Sequence, residues 1–368
     1  GINKPVGFVT GWTMLLDYLL VPTLLYVVAA QAMSGIVPEV PALIWGILFV
    51  AINTFVNIRG IELTVIVDRV AVVLEILCLG VFVVMGALWI ATDPLSNGFT
   101  IQPFYNPETF NPGLVMSAVS LGVLSFLGFD GIATLSEEAK DGRRGPGRAM
   151  MASLAIVGAL FVLQTYIAAL ILPDRANTDP DMGFFDACYT AGGLLLQNFM
   201  LVINIVAIGI ANIMNAQIAS SRLLFSMGRD GVLPRVLGKV HPKYQTPWVA
   251  AIFLGAFSLV LTLTAGQFGG MTVLAPMVNF GALASFIVLN FGVFWYFWCK
   301  EKQRGGKAVL RYLICPWIGI LILIYVFTGF DALTYGVGIS WFIVGLIIAA
   351  VISKGFKEVP DAFKNLEV

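Results

Sequence analysis

Charge is what this chain has least of. Only 11% of its 368 residues are charged, while 59% are hydrophobic, against about 25% and 45–50% in soluble domains. A single soluble core has no room for that much apolar side chain, whereas a bilayer has. Net charge is zero, with 21 basic and 21 acidic residues, so there is no electrostatic footprint for nucleic acid. Histidine is almost absent: His241 is the only one. Cys78, Cys188, Cys299 and Cys315 have neither metal-ligand nor redox spacing and no disulfide framework. Without a nucleophile–base pair or a metal cluster, no enzymatic reaction and no cofactor are expected.

Long hydrophobic runs are there in quantity. Ten are long enough to span, at about 20 residues per crossing: approximately 7–33, 40–57, 68–91, 113–135, 149–172, 192–216, 248–265, 273–297, 309–327 and 332–353. The first is too long for a signal peptide and has the wrong flanks. Alternating the loops puts 20 of the 21 basic residues on one side and only Arg175 on the other. That asymmetry predicts a multi-pass protein with both termini cytoplasmic. The segment Thr92–Pro112, rich in Pro, Asn and Gly, reads as an ordered extracellular loop. No linker or soluble domain interrupts residues 1–368, which read as a single polytopic membrane domain.

The fourth run carries the most information. In Gly122-Val-Leu-Ser-Phe-Leu-Gly-Phe-Asp-Gly131, three glycines weaken helix continuity around Asp130. A carboxylate at a helix centre costs about 2.5–3.5 kcal/mol in lipid, so Asp130 must face protein, water or ligand. Irregular backbone at that depth is tolerated only where it is buried or lines a cavity, and broken helices are how many transporters build a site. The hinge Ser125, Phe126, Leu127, Gly128, Phe129, Asp130 and Gly131 is therefore the candidate substrate site. Unwound carbonyls suit an ammonium group, and a following half-helix N-terminus suits an anion. Asp130 has two compatible readings: cap of a resumed helix, or substrate or proton ligand. Phe126 and Phe129 either close over a ligand or pack.

Asp17 and Glu75 are the other deep acids. Each is either a satisfied polar contact or a proton carrier. With Asp130 they make three intramembrane carboxylates, and no span has a Lys or Arg in its interior. That imbalance favours proton coupling or a cationic substrate. Asn212 and Asn279 are candidates for cavity lining, whereas Asn204, Asn215 and Asn290 read as interhelical contacts. Ser220, Ser221, Arg222, Arg229 and Asp230 read as an inner-surface helix with a charge network. Glu137, Glu138, Lys140, Asp141, Arg143 and Arg144 read as a solvated loop.

Several stretches resemble the amino acid–polyamine–organocation permease superfamily. Asn215-Ala-Gln-Ile-Ala-Ser-Ser-Arg-Leu-Leu-Phe-Ser-Met-Gly-Arg-Asp-Gly-Val-Leu-Pro234 resembles the family's segment after its eighth helix. Phe126–Asp130 with Glu137-Glu138 resembles its broken sixth helix, and Asn279-Phe-Gly-Ala-Leu283 its tenth. Gly11-Trp12 with Leu16-Asp-Tyr-Leu19 resembles its third, in the form seen in permeases related to bacterial putrescine importers. The resemblance implies an all-α membrane protein with a LeuT-like 5+5 inverted-repeat bundle. Ten helices of an expected twelve would be present, the chain looking N-terminally truncated by two. Residues 1–91 would be the remnant of the first repeat, 113–297 the second, and 309–353 the last two helices. Relatives that couple to protons through a lysine in the fifth helix differ here, where Glu75 stands.

The expected function is a plasma-membrane secondary active transporter for an amino acid or polyamine. It would work by alternating access, coupled to a proton in preference to Na+. A substrate exchanger of the same fold and a non-transporting nutrient sensor are the alternatives.

Overall fold

The structure is a computed structural model that describes residues 4–134, 144–172, 183–265 and 270–352. The charged loop Glu137–Arg143, Arg175 and the basic residues of the C-terminal tail lie outside the described residues. No strand occurs among the described residues. That suits a chain of long apolar runs, because a helix satisfies its backbone within one segment.

The helices run α1 (Lys4–Ile36), α2 (Ala42–Arg59), α3 (Ile61–Thr92), α4 (Pro112–Phe126), α5 (Gly131–Thr134), α6 (Arg144–Ile171), α7 (Gly183–Val206), α8 (Ile213–Arg229), α9 (Trp248–Ala265), α10 (Met271–Val293), α11 (Gly306–Ala308), α12 (Cys315–Phe327) and α13 (Ala332–Ile352). A π-helical stretch, Ala207–Asn212, joins α7 to α8, and two more, Phe294–Lys300 and Val309–Ile314, flank α11. Among the described residues eight helical runs are long and apolar enough to cross a membrane, and α9 is a shorter apolar helix. The remaining expected crossing, 113–135, is α4 and α5 with a turn between them.

One crossing differs in extent from its sequence reading. The run predicted at 192–216 is helical from Gly183 to Arg229, 47 residues. Hydropathy sees only the apolar middle, while the helix continues through polar residues on both sides. Gly193 kinks it with φ 66°, a conformation that glycine takes at little cost.

The chain groups into two compact units. The first comprises Gly1–Gly60, Leu114–Leu127 and Ala216–Val368; the second comprises Ile61–Gly113 and Gly128–Asn215.

In the first unit α1 is the axis, with 78% of its most apolar 18-residue stretch buried. Its neighbours approach through glycine. A Cβ on Gly281 of α10 would lie 2.8 Å from the Asp17 backbone nitrogen and 3.1 Å from the Thr13 carbonyl oxygen. A Cβ on Gly345 of α13 would run into the Trp12 ring. There Trp12 and Trp341 stack at 4.8 Å, and each indole N–H donates to the other's carbonyl oxygen, at 2.9 and 2.8 Å. Pro22 sits inside α1 and has no N–H for the Tyr18 carbonyl four residues earlier. The Ser220 hydroxyl of α8 donates to that carbonyl instead. Ser220 and Ser221 are thus buried, not on an inner-surface face, because the helix that carries them packs into the unit.

The second unit is held by side-chain volume. Cys78, Phe82 and Ile90 of α3 pack with Ile167 and Ile171 of α6 and with Cys188, Leu196 and Met200 of α7. The segment 93–111 is fixed to α6 by Tyr166, which donates to the Thr100 carbonyl at 3.1 Å and stacks on Phe104 at 5.0 Å.

Candidate functional site

The break in the fourth crossing is local and well defined. Helix α4 stops at Phe126, residues 127–130 form a turn, and α5 starts at Gly131. Gly128 has φ +108°, which a residue with a Cβ adopts only under strain. The turn closes with bonds from the Gly131, Ile132 and Ala133 N–H groups to the Gly128, Phe129 and Asp130 carbonyls, at 3.0, 3.3 and 2.8 Å. Those three carbonyls are therefore already engaged, each with one lone pair to spare. The Gly128 N–H donates to the Asp130 carboxylate at 3.2 Å, and Asp130 is buried, with 7% exposure. This bond runs backwards into the turn. Ser125 and Gly128 are exposed, while Phe126, Leu127, Phe129 and Gly131 are half-buried.

In the first unit the edge of this break packs on the two helices that carry two more candidates. Leu127 packs on a cluster of Leu16, Leu20 and Leu24 from α1 with Val278 and Phe280 from α10. Asp17 follows Leu16, and Asn279 lies between Val278 and Phe280; both are buried, at 4% and 6% exposure. Gly281 supplies the close approach that brings the two helices together at this level. The Asn279 Oδ1 is buried with no hydrogen-bond partner among the described residues. A buried acceptor in that condition costs about 1–3 kcal/mol, a cost that a donor supplied by water or ligand would remove.

In the second unit a different polar group forms. Asn212 is exposed on the π-helical stretch, a helix defect frequently found at functional sites. Three residues on, the Asn215 side chain donates to Asp68 of α3 at 3.0 Å. Glu75 lies two helical turns beyond Asp68 on the same face of α3 and is half-buried. The second unit thus carries Asp68, Glu75, Asn212 and Asn215 on α3, the π-helical stretch and the start of α8, while Asp17, Leu127 and Asn279 belong to the first.

The sequence reading missed one polar centre. Gln217 of α8 is fully buried, and its Oε1 accepts from Tyr26 Oη of α1 at 3.0 Å and from Asn57 Nδ2 of α2 at 3.2 Å. Its amide donates to the Thr54 hydroxyl at 2.9 Å. A signal was present: Asn53, Thr54 and Asn57 recur at three- and four-residue spacing along an otherwise apolar helix, a polar stripe that in a membrane faces other helices.

The chain is similar to known proteins along nearly its whole length. The model of the amino acid permease family matches residues 1–357. The low-affinity putrescine importer PlaP of Escherichia coli K12 is 31% identical over 369 residues, covering 99% of this chain and 80% of that protein. The branched-chain amino acid permease BcaP of Bacillus subtilis is 26% identical over 383 residues, covering 96% and 77%. The methylthioribose transporter of Bacillus subtilis is 27% identical over 355 residues, covering 94% and 72%.

Proposed function

We propose, because the chain belongs to the amino acid permease family and is thereby a multi-pass membrane transporter rather than an enzyme, that it imports a small cationic amine or amino acid together with a proton. The relatives' names cover a diamine, branched-chain amino acids and a thio-sugar, so names alone do not choose the substrate class. The charge inventory favours a cation. Asp17, Glu75 and Asp130 lie within apolar spans that have no Lys or Arg in their interiors. Buried carboxylates in such surroundings take up a proton or bind a positive ligand.

The observation that carries the reading is the broken crossing. Its edge, Leu127, packs on α1 and α10, the two helices that carry buried Asp17 and Asn279, whose Oδ1 has no hydrogen-bond partner among the described residues. In this reading Asp17 and Asn279 receive the ammonium group, and residues Ser125 to Gly131 bend to admit and release it. Asn212 lines the path. Asp130 and Glu75 exchange the coupled proton. Both chain termini face the cytoplasm, and the hinge opens to one side of the membrane at a time.

The test is uptake by full-length protein in proteoliposomes. Labelled putrescine should enter under an inward proton gradient without internal substrate, and leucine should compete poorly. Asp17→Asn and Asp130→Asn should reduce uptake at least tenfold with the purified yield unchanged. Uptake that needs internal substrate and ignores the proton gradient would make the protein an exchanger. Leucine uptake exceeding putrescine uptake would remove the cationic assignment.

A further inference from the structure

The hairpin joining α10 to α12 carries chemistry that transport does not use. Lys300, Lys302, Arg304, Lys307 and Arg311 occupy twelve positions with a single acid, Glu301. All five basic side chains are exposed, and none meets a carboxylate among the described residues. Two are held over aromatic faces: the Lys300 ammonium lies 5.4 Å from the Tyr296 ring centroid, and the Arg304 guanidinium 5.4 Å from that of Trp298. The base of the hairpin is braced by Phe297 stacked on Tyr312 at 4.6 Å. Backbone bonds from Glu301 to the Tyr296 carbonyl and from Gln303 to the Phe297 carbonyl fix the turn. The cations therefore stand on a built platform.

Next to that platform the surface turns apolar. Trp295, Leu310, Ile314 and Trp317 are between 41% and 57% exposed. Unpartnered cations directly beside exposed apolar and indole side chains match one molecular shape: an anionic head with hydrocarbon tails. Tryptophan at the bilayer interface and basic clusters at a span's end each favour such a neighbour. A soluble phosphopeptide or nucleic acid would use the charge and leave the apolar rim wet.

We infer that this hairpin is a binding site for an anionic phospholipid, with the phosphate on Arg304, Lys307 and Arg311 and the acyl chains along Leu310, Ile314 and Trp317. The inference is independent of the substrate reading, because it involves none of the residues proposed to bind or couple.

Full-length protein reconstituted in phosphatidylcholine nanodiscs with or without phosphatidylglycerol, then weighed by native mass spectrometry, provides the test. Wild type should retain phosphatidylglycerol, and retention should fall as salt rises. Arg304→Gln with Lys307→Gln and Arg311→Gln should lower retention about tenfold or more. Arg235→Gln with Lys239→Gln and Lys243→Gln removes the same charge from another loop and should leave it near wild type. Trp298→Leu keeps every charge in the hairpin and should still weaken retention, which separates a built site from a charged surface. It also keeps the proposal exposed should the triple variant fail to accumulate. Equal loss in both triple variants would mean diffuse charge and overturn the site. So would full retention by the hairpin variant, or occupation of the hairpin by the chain's own C-terminal tail.

Discussion

The two units are held together by different means. The first is fixed by close backbone approach and by hydrogen bonds between distant segments: Gly281 against α1, the paired indoles of Trp12 and Trp341, Ser220 on the Tyr18 carbonyl, and the Gln217 centre. The second rests on one apolar cluster around Phe82, with Asn215–Asp68 and Tyr166–Thr100 as supplementary bonds. Exposure sets α1 apart and not the units: 78% of its most apolar 18-residue stretch is buried, while the run Gly306–Phe327 and α13 of the same unit, at 17% and 22%, are as exposed as α6 and α3 of the second. Lipid is as apolar as leucine, so burial alone drives little association within a membrane, and packing and hydrogen bonds must supply it. The first unit is thus specified by geometry at a few points, and the second by how well large side chains fill space.

Substitutions can break that contrast in order of expected effect. The largest belongs to the second unit: Phe82→Ala empties a fully buried ring position and should cost about 3–5 kcal/mol. Thermal unfolding of the purified protein should shift down, and hydrogen exchange should rise in α3, α6 and α7. An equal rise in α1 and α10 would contradict the separation of means.

Gly281→Ala should come next, at about 1–3 kcal/mol, because the added carbon meets backbone, which cannot swing aside. The same change at exposed Gly305, where nothing lies within 4 Å, should leave the melting temperature unchanged. Ser220→Ala removes the hydroxyl that reaches the Tyr18 carbonyl and should cost about 0.5–1.5 kcal/mol, read as a lower melting temperature. Ser220→Thr should restore most of it, since the hydroxyl survives.

The smallest effect is at Asp331, which precedes α13 and accepts from the Thr334 backbone N–H at 2.9 Å. That bond and the Thr334 hydroxyl hold its carboxyl below the ordinary range. A lowered folded-state value means that the contribution is present at neutral pH and lost as pH falls through the acidic range. Asp331→Asn should therefore lower the melting temperature slightly at pH 7 and converge with wild type in acid.

Much of this was legible in residue order. Crossings announce themselves by hydrophobicity, and the fourth by Gly122, Gly128 and Gly131 around a carboxylate. The hinge followed because glycine and buried charge are local signals. What escaped was set by partners far along the chain. Ser220 looks like a solvent-facing residue until it stands opposite the Tyr18 carbonyl, 202 residues away. Gln217 gave no hint of its three partners, and Gly345 is one glycine among 38 until Trp12 fills the space beside it. The helix from Gly183 to Arg229 outran its apolar window because polar residues that bond within the protein are as helical as leucine.

The Ser220 bond to α1 also constrains the order of assembly. When the ribosome has delivered α1 to the bilayer, the serine that will meet the Tyr18 carbonyl is still some two hundred codons from being made. Until that later segment arrives, this tie between the early helix and the late one does not exist. Its completion therefore reports that the rest of the chain has come home.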